Sequence, residues 1–174
     1  QFLKTHTPFS QQLELSDLAQ LDQALNDAFD AADTSLATVA DLAAVAPEEI
    51  AGLVFAFAPS VQRFAVSSNA TSLWSALAAG VQPPAPEKRS VRQEIIAWRQ
   101  GAGSRFRLLG DEEAMALDTA RNGVSFAVLC EMLGTMSGFE TAAAHAASYI
   151  RGWIDAELIS GLRLPGESSS HPDT

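Results

Sequence analysis

The residues best suited to chemistry are few, and their spacing does not suit a reaction. Of three histidines, His6 and His171 lie near the two ends of the chain, and His145 follows a run of alanines on a predicted helix. Nucleophilic catalysis needs a serine or cysteine beside a base, but Cys130 lies in the apolar stretch FAVLCEML, where an inert core thiol is expected. The HExxH, G-x-S-x-G, Walker A and dinucleotide-binding motifs are missing from the sequence. The sequence therefore predicts a protein that is not an enzyme and has no cofactor of its own.

Two pairs of carboxylates also have structural explanations. Glu112 and Glu113 stand at the start of a predicted helix, where the helix dipole stabilises negative charge. Asp30 and Asp33 have no histidine nearby in the sequence and too few oxygen ligands to hold a metal ion. The sequence therefore predicts no metal site, and it favours a structural role for His145 over a role as a base.

The basic residues, by contrast, are concentrated in one short segment. The chain has a formal net charge of −10, yet six of its eleven Lys and Arg residues fall between Lys88 and Arg107, opposed there only by Glu94. This asymmetry predicts a local surface that binds an acidic partner; the alternative is an edge strand that its charges keep soluble. The candidate partner- or peptide-binding residues are Arg92, Trp98, Arg99, Arg105 and Arg107.

The same segment reads as a β-hairpin. Alternating residues predict strands over 91–99 and 104–109, joined by a loop that contains glycine, with Arg105 and Arg107 on the face opposite Phe106 and Leu108. Three predicted helices follow, which is the order of a winged-helix-like domain; such domains read DNA with a helix or bind a peptide as an added strand. The prediction is an α+β, mostly helical fold with a small N-terminal α/β half. The expected domains are a helical subdomain with a short strand pair (1–82), a proline-rich linker (83–90), a winged-helix-like hairpin with three helices (91–164) and a disordered tail (165–174).

Composition narrows the class of protein. Apolar residues make up 47% of the 174 residues and charged residues 18%, as in globular proteins. No apolar run approaches the roughly 18–20 residues needed to cross a bilayer, so no membrane association is expected. A single cysteine fits a reducing compartment, which predicts a cytoplasmic protein. The chain begins at Gln1 without a methionine, which suggests a piece of a longer protein.

Several motifs resemble a known bacterial family. They are, in order, LSDLAQLDQALNDAFDAAD, APEEIAGLVFAFAPSVQRF (46–64), SLWSAL (72–77), IIAWRQ (95–100) and WIDAELISGL (153–162). With these motifs the chain resembles the second, C-terminal domain of the HvfC/BufC-type proteins, a family that carries a DNA-binding label.

The resemblance implies an accessory role. Members of that family are partners of multinuclear non-haem iron oxidative enzymes, which modify cysteines in ribosomally made, copper-binding precursor peptides. The implied function is that of an adaptor for the enzyme, its precursor peptide, or both, with the iron held by the enzyme. Two alternatives stay open: a DNA-binding regulator and a purely structural interaction domain. The net charge disfavours the first, as does the predicted helix 125–134, which carries Glu131 and no Lys or Arg.

Overall fold

The computed structural model describes residues 13–164 and shows the predicted α+β, mostly helical fold. The helices of this part of the chain are α1 (Leu13–Asp30), α2 (Val39–Ala44), α3 (Ala70–Ala78), α4 (Asp111–Arg121), α5 (Phe126–Ser137) and α6 (Phe139–Asp155), with a 3₁₀ turn at Ile50–Gly52. The strands are β1 (Val54–Phe57), β2 (Gln62–Ser68), β3 (Lys88–Gln100), β4 (Gly103–Leu109) and β5 (Ile159–Arg163). No helix within 13–164 is both long and apolar enough to cross a bilayer.

The described chain forms two compact units, each made of two segments. Residues 13–32 and 59–110 form the first, and residues 33–58 and 111–164 form the second. The predicted hairpin lies in the first unit, and the three helices after it lie in the second. The domain division at 83–90 stays a prediction. The boundaries between the two compact units lie at 32/33, 58/59 and 110/111. The predicted tail, 165–174, lies outside the described residues.

The first unit is a three-stranded antiparallel sheet, in the order β2-β3-β4, with α1 packed on one face. The core on that face contains Leu21 and Leu25 from the helix, with Val66, Ile95 and Ala97 from the strands. In β3, Ile95 and Ala97 point into this core while Ile96 and Trp98 point to the opposite face, because side chains alternate between the two faces of a strand. The predicted alternation in the hairpin is therefore confirmed.

A two-residue turn joins β3 to β4. Gln100 pairs with Gly103, so Gly101 and Ala102 form the loop. Gly101 has a φ of +57° and Ala102 is not among the residues with positive φ. A glycine with positive φ at the first loop position is typical of a type II′ turn, whose twist matches that of the flanking strands. The loop length in turn fixes the register of every pair along the hairpin.

The second unit pairs β1 with β5 in a separate antiparallel sheet and adds the remaining helices. At the start of α5, Ser125 caps the helix, its hydroxyl accepting a bond from the Val128 amide, as its position before an apolar helical run predicts. The ring of Phe57 on β1 packs edge-on against Trp153 of α6 at 5.6 Å between centroids. Trp153 is fully buried, which makes it a main anchor of this unit.

The sequence of the last helix predicts two features that the structure does not have. Its apolar spacing predicts a helix through Leu158, but α6 ends at Asp155 and a strand begins at Ile159. The reason is Glu157, whose φ of +63° is in the left-handed region and reverses the chain. The stretch SGFE, 137–140, predicts a capping box that opens at Ser137, but Ser137 ends α5 and the cap of α6 is Gly138, with a φ of +96°.

Candidate functional site

Strand β4 is the outer strand of the first sheet, so within residues 13–164 one of its two sides has no partner strand. In an antiparallel pair, alternate residues direct their backbone N–H and C=O groups towards the partner strand. Gln100 and Gly103 flank the two-residue turn and form a hydrogen-bonded pair, so Arg105 and Arg107 also direct their backbone groups towards β3. The backbone groups of the other three residues, Ser104, Phe106 and Leu108, therefore lie along the open side.

The side chains beside this edge differ between the two faces. Arg105 and Arg107 project on one face, opposite Trp98 and Ile96 of β3. Arg105 is exposed, while Arg107 is half-buried and donates a long bond of 3.4 Å to the Leu108 carbonyl. On the other face Leu108 is 45% exposed. A strand added here would meet positive charge on one face and an apolar side chain on the other.

The opposite edge of the sheet, β2, is closed near its end by a buried carboxylate. Asp17 of α1 is 2% exposed. It accepts a bond of 2.7 Å from the Ser67 backbone amide and one of 2.9 Å from the Ser68 hydroxyl. Because bonds to a carboxylate are among the stronger ones in proteins, this contact fastens β2 to α1. Of the two edges, β4 is therefore the one suited to receive another strand.

Arg99, which the sequence grouped with the binding residues, holds the end of α1. Its guanidinium donates to the carbonyl oxygens of Phe29 at 3.1 Å, Ala31 at 2.9 Å and Ala32 at 3.4 Å. The last carbonyls of a helix have no partner within the helix, and the dipole there favours a cation. Arg99 is therefore committed to a structural contact, which the sequence could not reveal because the partners lie about 70 residues away.

Trp98 and Arg92, the other two predicted binding residues, lie in different surroundings. Trp98 is 6% exposed, and its Nε1 has no hydrogen-bond partner within residues 13–164. A partner molecule therefore cannot reach it without a rearrangement. Arg92 is exposed near the start of β3, beyond the part of that strand that pairs with β4. The structure thus brings Arg105 and Arg107 together at an open edge. Trp98 and Arg99 lie on the adjacent strand, but the first is buried and the second is bonded to α1, and Arg92 lies beyond the paired part of that strand.

A polar cluster in the second unit was missed by sequence reasoning. The Tyr149 hydroxyl donates to Glu112 Oε1 at 2.8 Å, and His145 Nδ1 lies 2.9 Å from the same oxygen. The Trp153 indole donates to Glu113 Oε1 at 2.9 Å. These contacts fasten α6 to α4 and place a carboxylate, an imidazole and a phenol within proton-transfer distance. Glu112 and His145 were both noticed in the sequence, but nothing there indicated that they meet.

The hydrogen bonds of this cluster shift two pKa values. Bonds from Ser137 and Tyr149, with a smaller contribution from His145, hold the pKa of Glu112 below its ordinary value. Burial, reinforced by the Glu112 carboxylate, raises the pKa of Tyr149 to about 12. Cys130 is a free, half-buried thiol whose pKa is raised by burial. Within residues 13–164 no group of three or more His, Cys, Asp or Glu side chains could hold a metal ion.

Comparison with known proteins shows a sequence similarity over part of the chain. No family model matches the chain, and no solved structure matches it either. The chain is similar to a protein described as "Probable tyrosyl-DNA phosphodiesterase" from Schizosaccharomyces pombe, with 26% identity over 87 residues. The matched stretch is 50% of this chain and 16% of that protein. The chain thus matches about one sixth of that protein's length.

This similarity corrects one expectation from the sequence. The prediction that the chain is not an enzyme was wrong as a conclusion, because half of the chain is similar to part of an enzyme. That prediction relied on short motifs, and an active site assembled from distant residues contains no such motif. The resemblance to the HvfC/BufC-type family stays a prediction.

Proposed function

We propose that this protein is an accessory protein that binds an extended, acidic segment of a partner as an added strand along the open edge of β4. The observation that supports the proposal is the combination of an unpaired strand edge with Arg105 and Arg107 on one of its faces. In strand addition, backbone hydrogen bonds provide affinity and alternate side chains provide specificity. Both requirements are present along the same seven residues, Gly103–Leu109.

The geometry specifies the sequence of the bound segment. Successive residues of an added strand point to opposite faces of the sheet. Residues beside Arg105 and Arg107 should be acidic, and those beside Leu108 should be apolar. The preferred ligand is therefore an extended segment in which acidic and β-branched apolar residues alternate. Lysine at the acidic positions should be rejected, because like charges directly opposite one another destabilise strand pairing.

The biological context follows from the resemblance and is part of the proposal. We assign the bound segment to a precursor peptide or to the multinuclear iron oxidative enzyme that modifies it. Trp98, Arg99 and Arg92 are not part of the proposed edge, because the first is buried, the second holds α1 and the third lies beyond the paired strands. A cytoplasmic location belongs to the same proposal and is supported by the single, unpaired Cys130.

The test uses a peptide whose sequence alternates as required, TEVEVT, with TKVKVT as the matched control. Binding to the protein is measured by isothermal titration calorimetry and by amide hydrogen exchange. The amides of Ser104, Phe106 and Leu108 should become protected by TEVEVT and not by TKVKVT. Replacing Arg105 by glutamate should weaken binding about 2- to 30-fold, because an attraction of about 0.2–1 kcal/mol at the facing peptide carboxylate becomes a repulsion of similar size.

A proline substitution separates the edge from the rest of the strand. Leu108→Pro removes an N–H that points away from β3, so the bonds between β3 and β4 are retained. The variant should fold and lose peptide binding, whereas Leu108→Ala should keep most of it. Full binding by a folded Leu108→Pro variant would contradict strand addition at this edge. Equal binding of TEVEVT and TKVKVT would contradict the role of the two arginines.

A further inference from the structure

Three large apolar side chains form an exposed stripe in the second unit, on the side of α5 that faces away from its core. Val128, Met132 and Met136 repeat every four residues and are 38%, 40% and 51% exposed. The inner side of α5 carries the buried Leu129 and Leu133, so the stripe is surplus to the core. We call these three residues the α5 stripe.

Phe139, at the first position of α6, is 71% exposed but does not belong to the stripe. A Cβ atom built on Gly134 would lie 2.4 Å from Cδ1 and 2.6 Å from Cε1 of the Phe139 ring. Real side chains do not approach so closely, so the ring lies against Gly134 only because that residue has no side chain. Gly134 is buried and is two residues from both Met132 and Met136, which places it on the other side of the helix from them. The stripe therefore ends at Met136.

The charge around the stripe identifies the kind of partner. Between residues 122 and 150 the chain contains Glu131 and Glu140 and no Lys or Arg. The described part of the second unit, 33–58 and 111–164, carries twelve acidic and three basic residues. An apolar surface in so acidic a unit repels acidic partners and attracts basic ones. The line from Val128 to Met136 spans eight residues, or roughly 12 Å at the helical rise of 1.5 Å per residue, which matches about two turns of a second helix.

We propose that the α5 stripe is a docking surface for a basic amphipathic helix of a partner protein. Helices bind in this way through apolar anchors that recur every three or four residues. Two of the three anchors are methionines, whose flexible side chains adapt to the shape of a bound helix. The lysines and arginines of the partner helix would flank its apolar face and lie near Glu131 and Glu140. This surface belongs to the second unit and is independent of the β4 edge.

The test uses two model helices of opposite charge, LKKLLKLLKKLLKL and LEELLELLEELLEL. The chain contains three methionines, and two of them, Met132 and Met136, lie on the stripe. The third, Met115, is half-buried on α4 and accepts a contact from the Thr119 hydroxyl at its sulfur. In spectra of protein labelled at the methionine methyl groups, the basic peptide should shift the Met132 and Met136 signals and leave Met115 unchanged. The acidic peptide at the same concentration should shift none of them.

Substitutions then test the stripe itself. Met132→Ser together with Met136→Ser should weaken binding of the basic peptide at least about tenfold, because central apolar anchors carry most of the energy of such interfaces. Val91→Ser, at another exposed apolar residue (74% exposed), is the matched control and should bind as the parent does.

Three results would overturn the proposal. Equal shifts by the basic and the acidic peptide would show that charge does not select the occupant. Absence of binding by the basic peptide would show that the stripe does not receive this kind of helix. A dimer in sedimentation experiments that dissociates in the Met132→Ser, Met136→Ser variant would assign the stripe to a second copy of this chain.

Discussion

Replacing Arg99 by alanine removes the hydrogen bonds that hold the C-terminal end of α1 to the sheet. Two of these bonds, to Ala31 at 2.9 Å and Phe29 at 3.1 Å, have good lengths, and the third, to Ala32, is long at 3.4 Å. The carbonyl oxygens that lose the guanidinium become available to water, because both Phe29 and Ala32 are exposed. The expected effect is a loss of stability with no local rearrangement of the β4 edge.

The size of the effect follows from the bonds. Hydrogen bonds to charged groups contribute about 1.5–3 kcal/mol each, and a cation at a helix C-terminus adds about 0.3–1 kcal/mol. Arg99 is half-buried, and water can replace its guanidinium at the carbonyl oxygens. Each bond therefore contributes near the lower end of its range, and the total loss is smaller than the sum of the separate contributions. We expect Arg99→Ala to lower the free energy of unfolding by about 2–3 kcal/mol. Arg99→Lys keeps the charge without the forked donor and should lose about 1 kcal/mol.

The assay is urea unfolding followed by circular dichroism and tryptophan fluorescence. With an m-value of about 2 kcal/mol per molar urea, Arg99→Ala should shift the midpoint down by about 1–1.5 M. Arg105→Ala is the matched control: it removes an exposed arginine from the same hairpin and should change stability by less than about 0.5 kcal/mol. Peptide binding at the β4 edge should respond in the opposite way, reduced by Arg105→Ala and retained by folded Arg99→Ala.

The outcome that would refute this reasoning is equally specific. If Arg99→Ala and Arg105→Ala were equally stable, the contacts at the end of α1 would contribute nothing measurable. If folded Arg99→Ala lost peptide binding while its stability was unchanged, Arg99 would belong to the binding surface after all. That result would restore the grouping of the arginines predicted from the sequence.

Two further predictions concern buried polar contacts. Asp17→Ala should lower the free energy of unfolding by about 2–4 kcal/mol, because it leaves the Ser67 amide and the buried Ser68 hydroxyl without their carboxylate acceptor. A free energy of unfolding in urea equal to that of the parent protein would contradict the role of this contact. Tyr149 is the one tyrosine of the chain, so absorbance at 295 nm should show its titration near the pKa of about 12 set by burial and Glu112. Because the pKa of Tyr149 is higher in the folded state, its protonated hydroxyl stabilises the fold below pH 10, and this contribution is lost as the pH rises towards 12. Glu112→Gln should lower the pKa of Tyr149, and an unchanged pKa would exclude the bond to Glu112 as a cause.

Local patterns were sufficient for the elements that depend on neighbours in the chain. The alternation of the hairpin, the glycine of its turn at Gly101 and the cap at Ser125 were all predictable, because each is decided within a few residues. The end of α6 was not, because its apolar spacing continues past Asp155 while the chain has already turned at Glu157. A non-glycine residue in the left-handed region gives no signal in the sequence, and the pairing of β5 with β1 joins residues about 100 positions apart.

The sequence by itself determined that the hairpin is rich in arginine and that its side chains alternate between two faces. Only the tertiary structure decided what each arginine does, because that depends on which segments fold against the strand. Arg99 lies where α1 ends and is used to hold it, whereas Arg105 lies on an outer strand and stays exposed. The same holds for His145 and Tyr149, which both contact Oε1 of Glu112 only because α6 packs beside α4. Charge and periodicity are properties of the chain, but the partner of a side chain is a property of the fold.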